Sequence, residues 1–393
     1  MSEKQIKTPP VSSRVKIYYV ANARMPTEKA HGIQIAKMCE ALIEAGAEVE
    51  LIAPRRANTS RTIQDFYGLR VSVPTVYIWT PDWYSRGRLG FWASSVCFMV
   101  GYALYLLKKK RPGAAGVIWT IDVDQFSFFF IPYLGMPYIA EIHDAKPSTF
   151  TFRALFRRAA RIVVINDIIS RELGDIFKIP SGRISVHPNG VDLYQFQVRS
   201  KGEARRKLQL PFDTRVALYV GRLYQWKRLD ILARAAYLLD AITLYVVGGS
   251  KEEFSQAAGV SDLPPNLVCV GGKGFGEIPL WLAAADILLV GGTKQNNYSY
   301  LHTSAMKIFE YMAAGSEHAI VASDTPANRQ ILSDREATFY EPDNAEDLAS
   351  KIRYAFDSWP EAAQLKGRNA RAKVEGLTWE KRARSILKTF SYS

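Results

Sequence analysis

The sequence predicts an α/β chain of two Rossmann-like domains, on three observations. Short β-branched runs alternate with loops and helical segments along most of its 393 residues. The runs are apolar on both faces, as strands buried between two helical layers are. The series occurs twice, with a charged interruption between the two. The length fits two to three domains at roughly 150 residues each. With 48% apolar and 23% charged residues, the composition excludes a disordered or fibrous chain.

In the first half the strands are expected at Val15–Val20, Val49–Ala53, Thr75–Trp79, Val117–Thr120, Pro137–Ile142, Arg161–Ile165 and Ile184–His187. Gly32–Ala45, with Ile35, Cys39 and Leu42 near helical spacing, makes the first crossover. In the second half they are expected at Val216–Val220, Thr243–Val247, Leu267–Val270, Asp286–Val290 and Ala319–Ala322. The boundary falls near Val198–Pro211, where Arg-Ser-Lys-Gly-Glu-Ala-Arg-Arg-Lys interrupts the apolar runs. This gives a first domain over residues 1–198, a second over 199–375 and a C-terminal helix over about 376–393. Trp379, Ile386, Leu387 and Phe390 mark a docking face on that helix.

The charge is uneven. Of 51 Lys and Arg, 25 fall in residues 1–195 against 16 acidic residues, so the first half is the basic one. A basic half suits anionic lipid or phosphorylated substrates; no nucleic-acid-binding motif accompanies it. Leu89–Leu107 is 19 residues without a charge, followed by Lys108-Lys109-Lys110-Arg111. The length reaches the lower bound for a membrane span, but the segment lies between two strands of one sheet. It reads first as a buried crossover helix with a basic C-terminal end, and second as a helix resting on an anionic membrane. Cys39, Cys97 and Cys269 are scattered, as reduced thiols in a cytoplasmic protein are. No apolar leader opens the sequence.

Four strands of the second half run into glycine, at Gly221, Gly248-Gly249, Gly271-Gly272 and Gly291-Gly292. Glycine at the carboxyl edge of a parallel sheet lets a ligand approach the backbone closely. Past the first lies Gly221-Arg222-Leu223-Tyr224-Gln225-Trp226-Lys227-Arg228. A helix beginning near Lys227 would set Arg222, Lys227 and Arg228 against its dipole unless an anion sits among them, and a diphosphate fits best. Thr303 or Ser304 is expected to cap a second helix ending at Gly315, with Lys307 in its first turn and Glu310 on the same face. The alternative for that pair is an exposed ion pair of a few tenths of a kcal/mol.

These stretches, with Pro188-Asn189-Gly190-Val191-Asp192 and Ile320-Val321-Ala322-Ser323-Asp324, resemble retaining GT-B glycosyltransferases of family 4, also called glycosyltransferase group 1. Pro26–Gln34 resembles the glycine-containing loop after that family's first strand, and Glu141-Ile142-His143-Asp144 its strand-end histidine motif. The resemblance covers roughly residues 15–390. It implies two sheets facing across a cleft and a C-terminal helix crossing back to the first domain. It implies transfer of a sugar, with retention, from a UDP- or GDP-type donor to a glycan, lipid-linked or small-molecule acceptor in cell-envelope or exopolysaccharide synthesis. Arg222 and Lys227 would hold the diphosphate and Glu310 the ribose. Gly32 would close on the phosphates, and the backbone around Gly272–Ile278, with Gly272 and Ile278 at its ends, would read the base. Ser304, Met306 and Lys307 join the donor set. His143 would lie beside the reacting centre, making it catalytic with Arg222 and Lys227, and His31 and Asp144 would face the acceptor. No metal or other cofactor is expected, and the enzyme would be cytoplasmic, peripheral at the inner membrane face.

One position departs from the pattern. His302 stands eight residues before Glu310, where family members often carry a second glutamate that contacts the donor sugar. Asp122-Val123-Asp124 is a D-x-D at a strand end, read as loop acids or acceptor contacts ahead of a metal site. Two rival functions remain: a nucleotide-sugar epimerase or hydrolase on the same fold, and a non-catalytic sugar- or membrane-binding scaffold.

Overall fold

A computed structural model describes residues 15–56, 61–110, 116–122, 124–197, 199–315, 317–358 and 361–389. Val123, Val198, Arg111 and Phe390, singled out in the sequence, lie outside them. By internal contacts the chain divides into two compact units, residues 1–141 with 149–162, and residues 142–148 with 163–393.

The first sheet has seven strands: β1 (Lys16–Val20), β2 (Glu48–Arg55), β3 (Thr75–Trp79), β4 (Gly116–Ile121), β5 (Tyr138–Ile142), β6 (Arg161–Val164) and β7 (Ile184–Val186). Their order is β3-β2-β1-β4-β5-β6-β7, and the pairings from β3 through β5 are parallel. Tyr19 of β1 lies opposite Leu51 on one side and Trp119 on the other, and its ring stacks on Trp119 at 5.8 Å. β4 is buried along its whole length, which is why its sequence does not alternate.

The helix Ala30–Glu44 makes the first crossover. It buries Lys37 and Glu40 as a pair at 3.0 Å, and the Arg70 backbone N–H donates to the same carboxylate. The uncharged segment forms the helix Gly87–Lys109, which packs Ser94, Ser95, Phe98, Met99, Tyr102, Ala103 and Leu106 inward. The crossover reading therefore holds for one of its faces. By length and composition the helix also qualifies to cross a membrane.

The second sheet is β8 (Arg215–Val220), β9 (Ile242–Val247), β10 (Leu267–Cys269), β11 (Ile287–Val290), β12 (Ala319–Ser323) and β13 (Thr338–Tyr340). Its order is β10-β9-β8-β11-β12-β13, all parallel. Alternate residues of β8 feed two separate cores, Val216, Leu218 and Val220 on one face and Ala217 and Tyr219 on the other. Helices cover both. β13 was not expected: it is three residues long and half-open at Thr338, too short to stand out as an apolar run.

The charged stretch before β8 carries the helix Lys201–Leu208. Its Arg205 is buried and donates to the Ala284 carbonyl, the Phe212 carbonyl and the Asp286 carboxylate at 3.0, 2.6 and 2.8 Å. The C-terminal helix Trp379–Lys388 docks on the segment after β7. Thr378 bridges to Val191, and Arg382 Nε donates to the Pro188 carbonyl at 3.0 Å. A β-carbon on Gly190 would come within 2.6 Å of the Trp379 nitrogen, so the Asn-Gly pair there is a packing requirement.

Candidate active site

In the second sheet the strand order reverses between β8 and β11. Ligands of open α/β sheets bind at such a switch point, beyond the carboxyl ends of the strands. The loop leaving β8 and the loop leaving β11 together carry most of the residues the sequence singled out.

The glycines along this edge serve different ends. Gly221 donates to the Val247 carbonyl at 2.8 Å with φ at 150°. Gly248, also at φ 150°, lies so close to the Gly221 carbonyl that any β-carbon would collide with it. Gly249 and Gly292 are crowded by Leu223 and Thr325. These three are required for packing, a reason independent of any ligand. Gly271 and Gly272, by contrast, face open space. Beyond them Glu277 caps the Gly274 N–H at 3.0 Å, and the buried Ile278 starts the helix Ile278–Ala284.

The β8 loop corrects one expectation. The helix begins at Asp230, three residues after Lys227, and Arg228 turns back in a left-handed conformation to grip Asp230 with two hydrogen bonds of 2.8 Å. Arg228 is thus neutralised within its own loop. Lys227 is not: its Nζ donates to the Arg222 carbonyl at 2.8 Å and sits 5.0 Å from the Tyr224 ring centre and 5.6 Å from that of Trp226. Burial, then the Arg222 charge, lowers its pKa to about 8. Arg222 is half-buried at the same turn.

Across the switch point, Tyr298–His302 forms one wide helical turn, and the helix Met306–Ala313 follows. The expected cap at Thr303 or Ser304 is not formed. Ala305 precedes the helix, no side chain caps it, and its first turn holds no acid. The backbone there is held from outside: Asn166 donates to the His302 carbonyl and Asn189 to the Ser304 carbonyl, each at 3.0 Å. This assigns the Pro-Asn-Gly stretch a positioning task. Ser304 Oγ is buried without a partner.

Lys307 stands in that first turn beside Met306, with Nζ 4.1 Å from the Tyr219 ring centre. Gly221 leaves room for it, since a β-carbon would come within 3.0 Å of that Nζ. Burial and then Lys227 push the Lys307 pKa well down, against the pull of Glu310. Burial raises Glu310 to about 7, with Lys307 opposing. The Tyr311 hydroxyl accepts from the Val220 N–H at 3.0 Å and pins this helix to the end of β8. Two lysines from opposite loops thus repel each other in a partly dehydrated place, and among the described residues neither has a carboxylate within 4.0 Å. An uncapped helix N-terminus adds its free N–H groups. Such an arrangement can take up an anion.

His143 is buried just past the end of β5, and Asp144 follows it. The structure pairs Asp144 with the departure at His302. His302 Nδ1 lies 3.2 Å from Asp144 Oδ1, and Nε2 lies 2.8 Å from Glu172 Oε2. The Asp144 contact raises the His302 pKa, burial opposes it, and Glu172 adds to the rise. Burial alone would raise Asp144, but its bond to His302 and the Ala145 N–H bring it below its ordinary value. Sequence reasoning missed Glu172 altogether.

His31 and Gly32 belong to the other unit, in the first turn of Ala30–Glu44. A side chain on Gly32 would strike the Tyr67 hydroxyl, which bonds the Thr27 N–H and carbonyl at 2.7 and 2.8 Å. In the D-x-D, Asp124 Oδ1 accepts from the Phe126 and Ser127 N–H groups at 2.8 Å, so it is engaged in shaping its loop. Among the described residues no three His, Cys, Asp or Glu cluster as metal ligands do.

Residues 32–195 match the domain described as Glycosyltransferase Family 4, and residues 214–358 match Glycosyl transferases group 1. The D-inositol 3-phosphate glycosyltransferase of Streptosporangium roseum is 33% identical over 297 residues, 66% of each chain. The enzyme of that name from Mycobacterium tuberculosis is 33% identical over 146 residues, 34% of this chain and 29% of its own. The chain thus matches just under two thirds of the length of the first relative and less of the second. Sucrose-phosphate synthase from Thermosynechococcus elongatus superposes with a TM-score of 0.76 at 19% identity, covering 96% of this chain and 99% of that one. The Anabaena protein HepE in complex with UDP and glucose gives 0.72 at 15%, covering 96% and 100%.

Proposed function

We propose, from the premise that this chain is a GT-B glycosyltransferase with a Glycosyltransferase Family 4 domain followed by a Glycosyl transferases group 1 domain, that it moves a sugar from a nucleoside diphosphate donor of UDP or GDP type. The observation that carries this reading is the convergence of Lys227 and Lys307, neither with a carboxylate partner among the described residues, on the β8–β11 switch point. Lysines so placed are stabilised by an anion of at least two charges, and a diphosphate supplies that number.

In this reading Lys227, Lys307, Arg222 and the N–H groups of the Met306–Ala313 helix hold the donor diphosphate. Charge grows on its leaving oxygen as the anomeric bond breaks, and fixed cations there lower the barrier. The acceptor hydroxyl attacks from the same face, retaining configuration, and the departing phosphate oxygen takes its proton. Ser304 Oγ and Glu310 lie along the same helix entrance as partners for donor hydroxyls. His143 stands at the reacting centre. No metal is required, because the diphosphate charge is met by side chains. The HepE complex with UDP and glucose favours a UDP-sugar, and the D-inositol 3-phosphate glycosyltransferase relatives favour a small acceptor.

Calorimetric titration with UDP, GDP and ADP in EDTA tests this. Selective binding that is lost in Lys307→Ala is expected. Absence of binding for all three would return the scaffold reading, and product formed from donor alone would favour the epimerase or hydrolase.

We also place the acceptor step at the inner membrane face. The outward side of Gly87–Lys109 exposes Leu89, Trp92, Val100, Leu104 and Leu107 at helical spacing, with Leu89 82% and Leu104 56% exposed. Trp79, 68% exposed at the end of the edge strand β3, and Trp83 extend it. Arg86 and Arg88 flank one end and Lys108, Lys109 and Lys110 the other. An apolar stripe between basic ends suits an anionic bilayer surface. Sedimentation with phosphatidylglycerol vesicles at low salt should carry the protein down, and Leu89→Ser with Leu104→Ser should release it. A protein that stays in solution would remove the membrane from this reading.

A further inference from the structure

In the first unit the strand order reverses between β1 and β4. The loops leaving β1, β2, β3 and β4 meet there around Asn22. Its Nδ2 donates to Ser127 Oγ at 2.5 Å and Ser95 Oγ at 3.2 Å, and reaches Asp124 Oδ2 at 3.4 Å. Its Oδ1 accepts from Arg56 Nη2 at 2.8 Å and from the Tyr84 hydroxyl at 3.1 Å. The Arg56 guanidinium carbon lies over the Tyr84 ring, 3.1 Å from its centre.

Arg56 is therefore fixed from two sides, yet these contacts give it no counter-ion. Among the described residues no carboxylate lies within ion-pair distance of it. Its Nε is enclosed and makes no hydrogen bond. Asp82 acts on it only at longer range, and the neighbouring cation Arg24 is itself paired with Glu28 at 3.1 Å. Burial lowers the Arg56 pKa, the largest influence on it, but a guanidinium keeps its proton in proteins. A dehydrated arginine without a carboxylate partner is costly to hold. A planar fork stacked on an aromatic ring is the usual receptor for a planar or tetrahedral oxyanion.

We propose that Arg56, locked by Asn22 and Tyr84, binds an oxyanion, phosphate or carboxylate, carried by the acceptor. This rests on the glycosyltransferase reading above and narrows it to anionic acceptors. Asn22 and Asp124 then stand within reach of the hydroxyls beside that anion. Asp124 keeps its charge in this network, with Oδ1 held by two backbone N–H groups and Oδ2 turned to Asn22, so Arg56 must outweigh it at the anion.

The test uses the full chain and pairs of probes differing in one charge. Glucose 6-phosphate and glucuronate are titrated against glucose, and phosphatidylglycerol vesicles against phosphatidylcholine vesicles. UDP is titrated separately, to report on the donor site. At least tenfold tighter binding of an anionic probe than of its neutral counterpart is expected, with the preference abolished in Arg56→Met and reduced several-fold in Arg56→Lys. UDP affinity and the melting temperature should stay unchanged in both. A preference confined to the vesicles would assign the anion to a lipid headgroup, and one confined to the sugars to a soluble acceptor. Equal binding of charged and neutral probes, or a preference that survives in Arg56→Met, overturns the proposal. Loss of UDP binding by the unmodified chain would instead overturn the donor reading. If Arg56→Met does not fold, Arg56→Lys and Tyr84→Phe carry the comparison.

Discussion

Both sheets reverse their strand order once, and the two reversals are furnished differently. At β8–β11 one lysine comes from the turn after β8 and one from the first turn of the helix Met306–Ala313, each against an aromatic ring and, among the described residues, neither with a carboxylate partner. At β1–β4 a single arginine is held by an asparagine and a tyrosine inside a hydrogen-bonded network. Topology alone offers the same crevice twice. What separates them is charge count and rigidity. Two ammonium groups suit a diphosphate, whose charge they share, and one fork held by Asn22 and Tyr84 suits a monoanion whose orientation it fixes.

The sharpest way to break this contrast is to remove one cation from each side. Lys307→Ala should lower kcat/KM about 10²–10³-fold, or about 2.7–4 kcal/mol, by leaving transition-state charge unmet. It should also abolish UDP binding by calorimetry while holding or raising the melting temperature, because an unpaired buried cation has been removed. Arg56→Met should leave UDP binding intact. If both variants lose UDP, the two reversals do not divide the labour. A second contrast lies inside the donor edge. Gly248→Ala should cost about 2–4 kcal/mol in urea unfolding, since the new methyl meets the Gly221 carbonyl in a disfavoured backbone conformation. Gly272→Ala, facing open space, should cost less than about 1 kcal/mol and report on ligand approach alone.

The same contrast sorts what the sequence could reveal. Twelve of the strands were legible because a buried parallel strand is a continuous apolar run, whereas β13 has only three residues to show. Lys227, Lys307 and Glu310 could be picked out as candidates because each sits in one short local motif, the first in the turn after β8 and the other two in the helix Met306–Ala313. Arg228 was misread, since its bond to Asp230 depends on a left-handed turn that no spacing announces. The cap at Thr303 or Ser304 was misread because the backbone is held instead by Asn166 and Asn189, more than 100 positions away. Nothing local links His302 to Glu172, 130 positions apart, or gathers Asn22, Arg56, Tyr84 and Asp124 from four loops. Long-range polar networks leave no periodicity to read.

The pH dependence distinguishes the two sites further. In the proposed function Lys227, lowered to about 8, would bind the diphosphate in its protonated form. As pH rises through that value the proton is lost, so donor kcat/KM should fall above about pH 8, by up to tenfold per unit. Lys227→Arg should move this limb upward by removing the titration. The acceptor KM should stay flat over the same range, because Arg56 does not titrate there. At pH 8, calorimetry in buffers of different ionisation enthalpy should show proton uptake on UDP binding. Identical heats in all buffers would mean that the lysines are already fully protonated.

The smallest effect belongs to His302, and it is one of stability. Its pKa is raised in the folded chain, by Asp144 first and by Glu172 after the opposing effect of burial. Unfolded, it titrates near its ordinary value of about 6.5. The folded state therefore holds the proton more tightly, and the imidazolium stabilises the fold fully below about pH 6.5. That contribution drains away as pH rises through the folded value. Because Asp144 and Glu172 remain partly open to water, it should amount to on the order of 1 kcal/mol. His302→Gln should thus lower the melting temperature at pH 6 by a few degrees and by much less at pH 9, and Glu172→Gln should reproduce part of the loss. A gap that does not change with pH would mean that the ring is neutral in the fold. A neutral ring has a single N–H, so only one of the Asp144 and Glu172 contacts would then be a hydrogen bond, and the backbone entering the lysine-bearing helix would be held chiefly by Asn166 and Asn189.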